Sequence, residues 1–210
     1  MPHVVLLGDS IFDNGAYVSP GEPDVLRQVQ AALPSGWQTT LAARDGAVLA
    51  DVPRQLSRLP GDATHLVLSV GGNDALSEIS ILNVPVQTVG GALDRLAAVV
   101  ARFEERYAAL LEQVLRRGLP VTVCTIYNGW FEDAAMQRRA RTALALFNDA
   151  ILRTAFAARV RVIELRHVRT DAEDYANPIE PSARGGARMA QVIARGVTEP
   201  TVTRCAAVYS

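Results

Sequence analysis

His3-Val4-Val5-Leu6-Leu7-Gly8-Asp9-Ser10 is the stretch that decides the fold. Four successive aliphatic residues without polar alternation describe a strand covered on both faces, the habit of a parallel sheet. Gly8 ends the run, and Ser10 emerges at the carboxyl end of the strand. Four further runs of the same kind follow, at Gln38–Ala43, His65–Val70, Val121–Ile126 and Val160–Leu165. Helical patterns lie between them. Asp24–Leu33 stops at Pro34-Ser35-Gly36, and Asp51–Leu59 stops at Pro60-Gly61. Leu93–Arg117 aligns Leu93, Leu96, Val100, Phe103, Tyr107, Leu110, Leu111 and Val114 on one face and closes at Gly118 and Pro120. Asp133–Phe156 and Ala183–Arg195 complete the set. This alternation predicts an α/β fold: a flavodoxin-like, three-layer αβα sandwich with a five-stranded parallel sheet and right-handed crossovers. No repeat or linker divides the chain, so residues 1–210 read as a single domain.

Composition narrows the function classes. The chain has 210 residues, 49% hydrophobic and 20% charged, enough to bury a sizeable core. A net charge of −1 offers no basic surface for nucleic acid or an anionic membrane. All 21 basic residues are Arg, scattered along every segment as solvated helix faces. No run approaches the ~18 apolar residues of a membrane span. Met1-Pro2-His3 leads straight into the first strand without a secretory pattern, so a cytoplasmic location is expected. Cys124 falls in an apolar strand and Cys205 in the tail, an arrangement that predicts free thiols rather than a disulfide framework.

In open parallel sheets, ligands bind at the carboxyl ends of the strands. That rule brings Ser10, Gly46, Gly71-Gly72-Asn73-Asp74, Tyr127-Asn128 and Arg166-His167 to one face. His3 and His65 start strands and belong at the opposite end, about five residues of ~3.3 Å away. Taken singly, each block has an ordinary alternative. Ser10 is also a preferred helix cap, and Gly46 and Gly71-Gly72-Asn73-Asp74 are also common turns. Asp9, Asp13, Asn14, Asp74 and Tyr127 are candidates to line a pocket, and Tyr127, Trp130 and Phe131 could form an aromatic subsite. No His/Cys/Asp/Glu group has metal-ligand spacing. No Gly-x-Gly-x-x-Gly or Lys-bearing phosphate loop follows a strand, so no metal and no cofactor are expected.

Taken together, Gly8-Asp9-Ser10, Gly46 and Gly72-Asn73-Asp74, with Pro181-Ser182 and Gly185-Gly186 near the C-terminus, resemble the SGNH/GDSL hydrolase superfamily over nearly the whole chain. The resemblance implies Ser10 as nucleophile and an acyl-Ser10 intermediate; it leaves the ester open, and a small carboxylic ester is the expected substrate. It also implies an oxyanion hole made by the Ser10 N–H, the Gly46 N–H and the Asn73 side chain.

The family's last block, Asp-x-x-His, carries the base and its orienting carboxylate. Here that segment reads Asn177-Pro178-Ile179-Glu180, so the two residues that would activate Ser10 are replaced, and Ile11 stands where the family has Leu. Three readings remain open. Glu180 is the base, with burial raising its pKa and Asn177 holding it by a hydrogen bond. Alternatively His167, after the fifth strand, is the base, with Asp171 or Asp174 as orienter. In the third, the cleft binds an ester, acyl or carboxylate ligand without turnover.

Overall fold

The computed structural model describes residues 1–168, 170–199 and 208–209. Its strands are β1 (His3–Gly8), β2 (Gln38–Leu41), β3 (His65–Ser69), β4 (Val121–Cys124), β5 (Arg161–Ile163) and β6 (Val208–Tyr209). They form one sheet in the order β2-β1-β3-β4-β5-β6, parallel at every pairing. The helices are α1 (Val25–Ala32), α2 (Val52–Leu56), α3 (Gly72–Ser77), α4 (Val89–Leu115), α5 (Ala134–Ala157) and α6 (Ala183–Thr198).

The strands lack polar alternation because both faces are buried. Val5 and Leu7 of β1 turn to one side, with Val52 and Leu56 of α2, Phe103 and Tyr107 of α4 and Ile151 of α5. Val4 and Leu6 turn to the other, with Val25 and Val29 of α1 and Met189, Ala190 and Ile193 of α6. Helices therefore cover the sheet on both sides, as the αβα sandwich requires. Cys124 is a buried free thiol, whereas Cys205 lies outside the described residues. No described helix is long and apolar enough to cross a membrane.

Three elements differ from expectation. The sheet has six strands rather than five, because Val208 and Tyr209 pair with Val162 and Ile163. Two residues carry too little periodicity to announce a strand. Gly72-Asn73-Asp74, expected as a turn, opens the short helix α3 after Gly71, whose φ of 117° suits glycine. Helix α4 begins earlier, at Val89, capped by the Thr88 hydroxyl, which accepts from the Gly91 N–H. Its buried face starts only at Val99; Leu93 is 57% exposed.

The exit from β1 is tightly specified. Gly8 has φ 131°, and a Cβ there would sit 1.7 Å from the Ser69 carbonyl oxygen. The Gln55 side chain of α2 clasps the Gly8 peptide from both sides, accepting from its N–H and donating to its carbonyl, each at 2.8 Å. The Asp9 N–H then donates to Ser69 O at 3.2 Å. The next residue, Ser10, thus leaves the sheet from a pinned point. At the other end of the strands, His3 bonds Asp62 and Thr40.

Candidate active site

Ser10 and Glu180 meet. The Ser10 hydroxyl donates to Glu180 Oε1 at 2.9 Å, and the two residues are only 7% and 5% exposed. They lie 170 positions apart in sequence. Ser10 follows β1, while Glu180 stands on the loop between β5 and α6.

That loop is held chiefly by its main chain. Tyr175 and Pro181 form an antiparallel bridge. Asn177 Oδ1 accepts from the Ile179 and Glu180 N–H groups, each at 3.0 Å. The Ala176 N–H donates to Glu180 O at 2.9 Å, and the Trp130 N–H to Pro178 O at 2.7 Å. The Tyr127 hydroxyl donates to Ile179 O, and Asn14 Nδ2 to Pro181 O at 3.4 Å. Asn177 therefore holds Glu180 by a hydrogen bond to its main chain.

Ser10, Asp9, Asn73, Tyr127 and Glu180 line one cleft. Asn73, the second residue of α3, donates through Nδ2 to Ala47 O at 2.9 Å. This bond draws the Arg44–Ala47 turn against the cleft wall. Gly46 sits in that turn with φ 74°, exposed, and borders a neighbouring groove rather than the cleft.

Other expected pocket residues are engaged elsewhere. Asp13 accepts from the Asp45 N–H at 3.0 Å. Asn14 is fully buried and accepts from the Val25 N–H at the start of α1 at 2.8 Å. Asp74 ties Leu49 N–H to Arg106 of α4, each at 2.9 Å, and burial pushes its carboxyl up. All three brace the walls and do not line the cleft. Phe131 does line it, while Trp130 is 45% exposed.

His167 is exposed on the short 3₁₀ turn Leu165–His167 and is not among the residues around the cleft. Its candidate orienters face arginines instead: Asp171 pairs with Arg184 and Arg188, and buried Asp174 with Arg188 at 2.9 Å. The structure brings none of the three to Ser10.

Two supporting features escaped the sequence reading. Gln55 is buried beside Val52 and Leu56, a spacing of three and four that marked it as inward-facing. At the end of β5, Glu164 accepts from the Thr125 hydroxyl at 2.7 Å and from Arg166 Nε at 2.7 Å. These partners lie on different strands or turns, and no local pattern foretells them.

Asp9, next to Ser10, has its pKa pushed up to about 7. Burial is the chief cause, and the nearby carboxylates of Glu180 and Asp74 add to it. The folded state therefore holds this proton more tightly than the unfolded chain does. Its contribution to stability is complete below pH ~4 and is lost as pH rises through about 7, by a few kcal/mol in all. Urea titrations between pH 4 and 8 are expected to show this decline, and Asp9→Asn is expected to flatten it. An unchanged slope in the variant would refute the assignment.

The chain thus places a buried serine–carboxylate pair at the carboxyl edge of a parallel sheet, between two helical layers, where α/β folds bind their ligands. Residues 6–188 match the model of the GDSL-like lipase/acylhydrolase family, and the chain belongs to that family. Solved structures share the fold at low identity. The extracellular lipase of Streptomyces rimosus aligns over 94% of this chain and 100% of its own, with a TM-score of 0.67 and 18% identity. Phospholipase A1 of Streptomyces albidoflavus NA297 aligns over 90% and 96%, with a TM-score of 0.66 and 16% identity. The carbohydrate acetylesterase Est24 of Sinorhizobium meliloti aligns over 94% and 98%, with a TM-score of 0.65 and 15% identity. A search of curated proteins gives no match.

Proposed function

We propose that this chain hydrolyses carboxylic esters through an acyl-Ser10 intermediate, with Glu180 as the base. The observation that carries this reading is the 2.9 Å hydrogen bond from Ser10 Oγ to Glu180 Oε1 inside a shielded cleft. Ser10 Oγ attacks the ester carbonyl carbon while its proton passes to Glu180. The carbonyl oxygen gathers negative charge, which the Ser10 N–H and the second Nδ2 hydrogen of Asn73 are suited to stabilise. Gly46, the third donor expected from the sequence, borders the neighbouring groove and takes no part in this scheme. Collapse of the tetrahedral intermediate breaks the bond to the alcohol oxygen, which takes the proton from Glu180. Water then repeats the sequence on the acyl-enzyme and releases the acid.

Asp9 fits this scheme as a neutral neighbour at mildly acidic pH, since its proton is held up to about pH 7. A neutral Asp9 puts no second negative charge beside the Ser10–Glu180 pair.

A fluorophosphonate probe tests the reading directly. Stoichiometric labelling at Ser10, found by peptide mass spectrometry and abolished by prior incubation with a hydrolysable ester, is the expected result. Absence of an adduct after prolonged exposure would instead favour a cleft that binds its ligand without turnover.

A further inference from the structure

The cleft is far more apolar than an acetyl group requires. Its polar groups gather at the Ser10 end, around Asn73 and Glu180. Glu78 also borders the cleft but pairs with Arg102, 3.6 Å away. The remaining wall is hydrocarbon, supplied by Leu76 and Ile81 after Asn73, by Leu96 of α4, and by Leu144 and Phe147 of α5.

On α5 the lining residues are Ala140, Ala143, Leu144 and Phe147, spaced by three and four. One face of this helix therefore looks into the cleft. Ala140, Ala143 and Leu144 are half-buried, and the two alanines are short enough to leave the channel open. Seven residues of helix span about 10 Å, the reach of an extended chain of roughly eight carbons.

Ester chemistry decides which half of the substrate lies there. Glu180 must return its proton to the departing alcohol, which places the alcohol at Glu180. The acyl group stays on Ser10, and the hydrocarbon wall continues from the helix that carries the oxyanion donor Asn73.

We infer that the wall built from α3, α4 and α5 is an acyl-chain site, and that the preferred esters carry a linear aliphatic acyl group of about six to ten carbons. The inference rests on the proposed ester hydrolysis and adds the acyl half of the substrate. Each further methylene buried against this wall is expected to raise kcat/KM about fourfold until the channel is full.

The experiment is a chain-length series with nitrophenyl esters from acetyl to dodecanoyl. The expected result is a rise in kcat/KM of at least thirtyfold from acetyl to octanoyl, followed by a plateau or fall. Ala143→Phe and the milder Ala140→Leu should each lower the octanoyl-to-acetyl ratio at least tenfold, with thermal unfolding confirming that the variants fold. A flat profile, or one that falls from acetyl onward, would overturn the inference, as would variants that lose all chain lengths in equal proportion.

A binding measurement separates this inference from the catalytic reading. Ser10→Ala should bind methyl octanoate at least thirtyfold more tightly than methyl acetate by calorimetry. That preference without any turnover by the wild type would keep the acyl site and sink the hydrolase. Turnover without chain preference, together with no preference in binding, would do the reverse.

Discussion

Ser10→Ala is expected to remove ester hydrolysis almost completely, by a factor on the order of 10⁵–10⁶ in kcat. The hydroxyl is the atom that forms the covalent bond, so no neighbouring group can replace it. Cys124 cannot serve in its place: it is buried in β4, and burial pushes its thiol up, which keeps it protonated. The fold should survive, because the pinning of this segment uses the Gly8 and Asp9 main chain rather than the serine side chain. Removing the hydroxyl takes a donor from the buried Glu180, at a cost of roughly 1–3 kcal/mol. Initial rates with an octanoyl ester and a melting curve on the same sample check both halves. More than a tenth of the wild-type rate in the variant would exclude Ser10 as the nucleophile.

Glu180→Gln is expected to lower kcat/KM by about 10²–10⁴, the usual worth of a positioned base. Glutamine keeps the shape and a carbonyl oxygen that can accept from Ser10, but it cannot take up the proton. The double change Asn177→Asp with Glu180→His puts an imidazole on the same loop. Recovery of turnover there would separate loss of a base from collapse of the loop. A glutamine variant that retains full rate would exclude Glu180, and His167, exposed and away from the cleft, would not inherit the role by position.

Much of the fold was legible because the sheet is buried on both sides. Val4–Leu7 and Leu66–Leu68 are continuous aliphatic runs, and such runs have few other destinations. The strand that escaped is the briefest, Val208–Tyr209, which pairs with β5 at two positions. Helix α3 was hidden because Gly71-Gly72 reads as a turn; the turn is confined to Gly71, with its positive φ, and the helix starts at the next residue.

At the site, strand ends alone brought Ser10 and Asn73 to one face, while the roles expected of them came from the resemblance. The bond between Ser10 and Glu180 could not, since it joins positions 170 residues apart. Sequence offered Glu180 and His167 as rivals on the same face, and only folding separates an inward carboxylate from an exposed imidazole. Asn177 reaches Glu180 through the main chain, because asparagine's short side chain readily meets amides two and three residues on.

The loop that carries Glu180 is tethered through peptide groups: carbonyls of 178, 179 and 181 receive bonds from Trp130, Tyr127 and Asn14, and the amides of 179 and 180 turn to Asn177. None of those tethers depends on which side chain stands at 180. Ser10, by contrast, follows a segment anchored to the sheet and α2 through Gly8 and Gln55. The two halves of the proposed reaction centre thus have separate foundations, and a different side chain at 180 leaves the serine where it was.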